Sequence, residues 1–150
     1  MIKDSISIIL AVHNQEKLVG DVVKGILNNI SNNVQDMFII LADCTDNSEN
    51  EILMALSKYR KGDFFDTKIV YSKYNSKLIA NNIGCQSSEN EYSLIIPDNV
   101  IIDEPIFDKR LLKSFGTTEN FIDPREGNIV VLVKNGELKD LDFEGIDIDE

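Results

Sequence analysis

Residues 5–12 (SISIILAV) make a nearly continuous apolar run rich in β-branched side chains. A strand covered on both faces reads this way, which implies a parallel sheet. Leu18, Val19, Val22, Val23, Ile26, Leu27 and Ile30 then recur at helical spacing in a segment that Asn14 opens as its expected N-cap. The same unit returns with Met37 to Ala42 (MFIILA) as a second buried strand, a polar turn, and Ile52, Leu53, Leu56 and Tyr59 on a helix. Lys68 to Tyr71 predicts a shorter third strand, Leu78, Ile79, Asn82 and Ile83 an amphipathic helix ending near Ser87, and Tyr92 to Ile96 a fourth strand. Past Pro97 the rhythm changes: a short helix is expected over Pro105 to Phe115, with proline in its first turn. Asn128 to Val133 and Glu137 to Leu141 flank Asn135-Gly136, the pair that most strongly signals a hairpin. The alternation predicts an α/β fold: a doubly wound, mostly parallel sheet with helices on both faces, right-handed crossovers and a C-terminal β-hairpin. One domain is expected over residues 1–145, with Ile146 to Glu150 fraying.

A chain of 150 residues that is 43% apolar can bury one real core. Its net charge of -11 argues against nucleic acid as a partner, because that affinity rests on Lys and Arg displacing counterions from phosphates. No stretch reaches the roughly 18 to 20 apolar residues of a membrane span, and the opening MIKDSISIILAVHN lacks a signal peptide's basic region and cleavage site. The expectation is a cytoplasmic protein with no membrane span. Cys44 and Cys85 lie far apart, and His13 is the lone histidine, so no zinc-ligand spacing exists and both thiols read as free. Cys85, on a helix face, reads as a small buried apolar group.

Ligands of open α/β sheets lie outside the carboxyl ends of the strands. Here those ends are polar: His13-Asn14-Gln15, Asp43-Cys44-Thr45-Asp46-Asn47 and Pro97-Asp98-Asn99. Asp43 could accept hydrogen bonds from a base edge or a ribose hydroxyl; equally, Asp43, Thr45, Asp46 and Ser48 could form a tight turn and cap the next helix. Asp98 and Asn99 offer the hard oxygen ligands that Mg²⁺ or Mn²⁺ prefer, or they form a plain turn. Asp103 and Glu104 lead into the helix at Pro105, where negative charge suits the dipole. His13 has no Ser or Cys motif to join it in a triad, so packing against a nucleotide or capping the turn is the expected role. No G-x-G-x-x-G or Walker sequence follows the first strand, which sets aside dinucleotide oxidoreductases and P-loop enzymes.

Three segments in order, Ile6 to Leu18 (ISIILAVHNQEKL), Phe38 to Ser48 (FIILADCTDNS) and Asn75 to Val100 (NSKLIANNIGCQSSENEYSLIIPDNV), together resemble the family 2 glycosyltransferases of the GT-A fold. The resemblance implies a GT-A-like, Rossmann-like domain that binds a nucleoside diphosphate sugar, a UDP-sugar, and transfers its glycosyl group to an acceptor hydroxyl. It implies that His13 and Asn14 belong to the turn contacting uracil or ribose, that Asp43 binds the base, and that Asp98 binds ribose. Asp98 and Asn99 would hold Mn²⁺ or Mg²⁺ on the diphosphate. Lys77 and Asn81 depart from the family pattern, which has Gly and Arg there, and Pro97, Asn99 and Val100 thin its acidic motif. The resemblance also implies a shortened form: the family's general base lies beyond the last residue here, so a partner or a second copy would complete the acceptor site. The alternative that follows is a catalytically silent nucleotide-sugar-binding or interaction module of the same fold.

Overall fold

A computed structural model describes residues 3–59, 65–114, 121–122 and 130–135. In chain order the elements are β1 (Ile6–Val12), α1 (Val19–Asn29), β2 (Val34–Ala42), α2 (Ser48–Lys58), β3 (Asp66–Ser72), α3 (Lys77–Ser87), β4 (Tyr92–Pro97), α4 (Phe107–Ser114), β5 (Phe121–Ile122) and β6 (Val130–Lys134). They build one sheet in the order β3-β2-β1-β4-β6-β5. The first four strands run parallel, and β6 is antiparallel to both β4 and β5. The doubly wound, mostly parallel sheet expected from the alternating pattern is therefore present. Its antiparallel C-terminal pair sets Phe121 opposite Val131 and Ile122 opposite Val130. The arm expected over Glu137 to Leu141 lies outside the described residues, as does the expected fraying of Ile146 to Glu150.

The period of two sorts the strand side chains between two cores. Ile6, Ile8, Leu10 and Val12 of β1 join Met37, Ile39 and Leu41 of β2 under the apolar faces of α1, α2 and α4. Ile9, Ala11, Phe38, Ile40 and Ala42 face the other way, against Ala80 and Cys85 of α3. Both faces of β1 are thus covered, and every residue of that strand is buried. β3 is an edge strand, half open to solvent and carrying Asp66 and Lys68, charges that discourage edge-to-edge pairing. Among the described residues no helix is long and apolar enough to cross a membrane.

Three expectations about the helices change. Leu78, part of the apolar pattern that predicts α3, is 45% exposed, and the buried residues are the small Ala80, Gly84 and Cys85. A Cβ at Gly84 would lie 2.5 Å from Ile9 Cγ2 and 3.0 Å from Ile40 Cδ1. The small stripe lets α3 ride close to the sheet, and close approach outweighs the larger apolar face. The second change concerns α1, which starts at Val19 after a turn in which the amides of Leu18 and Val19 donate to Gln15 O, leaving Asn14 outside the helix. The third concerns Pro105, which sits in the turn ahead of α4 and not inside its first turn; Glu104 instead pairs with Arg110 through two bonds of 2.5 and 2.6 Å. Its carboxyl is held below the usual range by those guanidinium bonds.

The segment following β4 returns across α1. A Cβ at Gly25 would stand 2.6 Å from the backbone oxygen of Ile102, and Asn29 Nδ2 donates to that same oxygen at 3.0 Å. Backbone cannot move aside as a side chain can. Gly25→Ala is therefore expected to lower stability in urea unfolding by about 1 to 3 kcal/mol or more, as overpacked cores do. Gly84→Ala, which meets only side chains, should lose less than Gly25→Ala. Gly20→Ala, whose Cβ would have 4.0 Å of clearance, should gain about 0.5 to 1 kcal/mol from helix propensity. A Gly25→Ala variant as stable as Gly20→Ala would contradict this packing.

Candidate functional site

The strand order places α/β ligand chemistry. From β1 the chain runs outward through β2 to β3, then returns to lay β4 on the other side of β1. The switch point lies between the carboxyl ends of β1 and β4, where His13 and Asp98 follow their strands.

Asp98 has no exposed surface. Its Oδ2 accepts the His13 amide at 3.0 Å, and its Oδ1 accepts Lys77 Nζ at 2.6 Å and Gln15 Nε2 at 3.4 Å. A fully buried carboxylate requires such partners. The turn that presents it closes through Val100 N donating to Pro97 O at 3.3 Å, so Pro97-Asp98-Asn99 forms the turn that is one of its two expected readings. Asn99 is half-buried in that turn, and the described hydrogen bonds of the Asp98 carboxylate do not include it.

His13 links this point to β2. Its Nδ1 lies 2.7 Å from Ala42 O, and a carbonyl can only accept, so the proton sits on Nδ1. Asp43 comes next, exposed and in the left-handed region at φ 50°, its amide donating to Ser72 O at 2.8 Å. Asn14, also left-handed at φ 48°, reaches across to the loop after β2: its Oδ1 accepts the amides of Thr45 at 2.8 Å and Asp46 at 3.2 Å, and its Nδ2 donates to Thr45 Oγ1 at 3.2 Å. Asn and Asp are the non-glycine residues that tolerate this backbone best. Asn14 therefore clamps two loops together, and the helix-cap role expected of it is not the one it has.

The loop after β2 is a turn as well. Asp46 Oδ1 accepts the Ser48 amide at 2.9 Å, Asp46 Oδ2 the Glu16 amide at 3.2 Å, and Ser48 Oγ the Gln15 amide at 2.8 Å. Desolvation opposes the charge on Asp46, but the bonds from Ser48 and Glu16 outweigh it and lower its pKa. Beside this turn a pocket of about 230 Å³ opens, lined by Leu41, Asp43, Cys44, Asp46, Glu49, Tyr71 and Ser72. Tyr71 and Glu49 are absent from the candidate site residues of the sequence. Tyr71 precedes Ser72 at the carboxyl end of β3; the tyrosine hydroxyl donates to Glu49 Oε2, a bond that raises its pKa. Desolvation raises the Cys44 thiol, and Cys85, buried under α3 as expected of a small apolar group, is pushed up to about 11. Both cysteines are free.

Among the described residues, the surroundings of Asp98 do not fit a divalent cation. Such ions need several oxygen ligands at close range, yet both oxygens of Asp98 are engaged, one by an ammonium. Among the described residues no group of three or more His, Cys, Asp or Glu side chains is gathered to hold a metal.

The sequence matches no protein-family model and no curated protein sequence. Solved structures do share its architecture. A mannosyltransferase from Pyrobaculum calidifontis in complex with GDP-Man and Mn²⁺ superposes with a TM-score of 0.65 at 11% identity, over 77% of this chain and 33% of that one. The fold is that of the GT-A glycosyltransferases. Glucosyl-3-phosphoglycerate synthase from Mycobacterium tuberculosis, in complex with Mn²⁺, UDP-glucose and phosphoglyceric acid, superposes at 0.59 with 17% identity, over 78% of this chain and 41% of that one. S. aureus TarS in complex with UDP superposes at 0.55 with 16% identity, over 73% and 32%. The chain spans a third to two fifths of the length of these GT-A structures.

The Asn14 clamp is testable apart from any ligand. Asn14→Gly keeps the left-handed backbone and removes only the side-chain bonds, so urea unfolding should show a loss of about 1 kcal/mol. Asn14→Ala should lose about 1 kcal/mol more, since alanine is strained at positive φ. An Asn14→Gly protein as stable as the parent would show that the bridge contributes nothing.

Proposed function

We propose that this chain is a nucleotide-sugar-binding domain that holds a nucleoside diphosphate sugar, a UDP-sugar, at the carboxyl edge of its sheet. The observation that carries the reading is the pocket between Asp43 and Tyr71, tied to the switch point through the His13 bond to Ala42. A nucleobase offers N–H donors and a flat face; an exposed carboxylate at Asp43 accepts the first, and the Tyr71 ring at the pocket wall suits the second. Asn14 and His13 shape the adjoining turn, and Asp98 lies beyond it toward the diphosphate. The GT-A architecture supports the choice of ligand, since solved proteins of that architecture carry GDP-Man, UDP-glucose and UDP in the corresponding complexes.

Glycosyl transfer is the activity that follows from this binding. The acceptor oxygen would displace the diphosphate at the anomeric carbon, and its proton must pass to a base. Asp98 is committed to Lys77, His13 and Gln15, and that engagement favours the second reading, a module that binds the nucleotide sugar without turning it over.

Calorimetric titration with UDP tests the binding step. Asp43→Ala is expected to weaken UDP by about tenfold or more, the worth of a hydrogen bond to a charged group. Unchanged affinity would remove Asp43 from the base site. Alkylation gives an independent readout: Cys44 in the pocket should react before the buried Cys85, and UDP should slow Cys44 alone. Release of UDP from UDP-sugars would establish turnover; binding with no release would establish the silent module.

A further inference from the structure

We infer that Lys77 is this chain's built-in cation: its ammonium stands beside Asp98 in place of a divalent ion and meets the diphosphate directly, so nucleotide binding needs no metal. The inference rests on the nucleotide-sugar reading above and concerns how that site neutralises phosphate.

Lys77 is the first residue of α3, positioned by Ser76, whose Oγ accepts the Ile79 amide at 3.2 Å. Its Nζ lies 2.6 Å from Asp98 Oδ1, and the exposures of the two side chains are opposite: 45% for Lys77 and 0% for Asp98. The carboxylate is the buried member and the ammonium is the face that the pair presents outward. An ammonium carries three N–H donors, and Asp98 takes one of them. The others can serve phosphate oxygens, for which lysine acts as a point charge.

A divalent ion at Asp98 would have to displace this ammonium or share an oxygen with it. Sharing sets two cations within a few ångströms of each other, where their repulsion is large in a partly desolvated site. Displacement would move Lys77 away from a carboxylate that has no exposed surface and accepts only two other described bonds, from His13 N and Gln15 Nε2. Neither route offers the additional carboxylates that would repay it among the described residues.

The test is titration of the whole chain with UDP and with uridine, in EDTA and in Mn²⁺, for the parent, Lys77→Met and Lys77→Arg. The parent is expected to bind UDP equally well in EDTA and in Mn²⁺. Lys77→Met should weaken UDP by about ten- to a hundredfold, in line with losing charged hydrogen bonds, and leave uridine unchanged. Lys77→Arg should retain most of the affinity. If Lys77→Met does not fold, with Asp98 left uncompensated, the Lys77→Met, Asp98→Asn double variant is compared with Asp98→Asn alone, and relative to that variant it should lose UDP selectively over uridine. UDP binding by the parent only in Mn²⁺ would overturn the inference and leave the nucleotide reading standing. Equal weakening of UDP and uridine would overturn it too, by making Lys77 a structural residue. Absence of UDP binding under both conditions would overturn the reading and the inference together.

Discussion

A carboxylate with no exposed surface is tolerated only when its charge is met, and at Asp98 three donors from two separate parts of the chain meet it. The His13 amide comes from the end of β1, Gln15 from the turn beyond it, and Lys77 from the start of α3. Because the turn after β1 and the start of α3 are far apart in sequence, the single charge fixes the ends of β1 and β4 and the start of α3 relative to one another. The rest of the carboxyl edge hangs from that point: His13 passes the constraint to β2 through Ala42, and Asn14 passes it to the loop of Thr45 and Asp46.

The opposite end of the sheet is closed mainly by hydroxyls and amides. Ser88 and Asn90 donate to Ser7 Oγ at 2.8 Å, and Asn135 Nδ2 donates to Ser88 Oγ at 2.8 Å and to Asn90 O at 2.7 Å. Asp36 joins through Asn90 at 3.1 Å, and burial raises its pKa. The two ends thus differ in kind. One is a compact knot of hydroxyls and amides locking β6 to β1 and β4, while the other gathers a pocket, an exposed carboxylate and an outward ammonium.

The strands and helices were legible because periodicity reports which face of each element is covered, and β1, β2 and β4 fall within a few residues of the apolar runs that announced them. The inner face of α3 was not, because small residues there lower the apolar signal while allowing the closest approach to Ile9 and Ile40. Within the site, the strand-end rule found His13, Asp43 and Asp98 correctly as neighbours of one edge. It missed Tyr71 and Glu49, whose pairing spans two elements. At the opposite end, the Asn-Gly signal pointed to an ordinary turn and gave no sign that Asn135 is buried. Lys77 stood out only as a departure from a family pattern. Its meaning depends on a contact with a residue 21 positions away that no local spacing reveals.

In the proposed function, the carboxyl edge of the sheet, and not its opposite end, receives a nucleotide. Amide chemical-shift mapping by NMR during a UDP titration reads this directly. The shifted amides are expected to cluster at residues 13–15, 43–49, 71–72, 77 and 98, with Ser7, Ser88, Asn90 and Asn135 unmoved. Shifts concentrated around Ser88 and Asn135, or scattered over the surface without saturation, would contradict it.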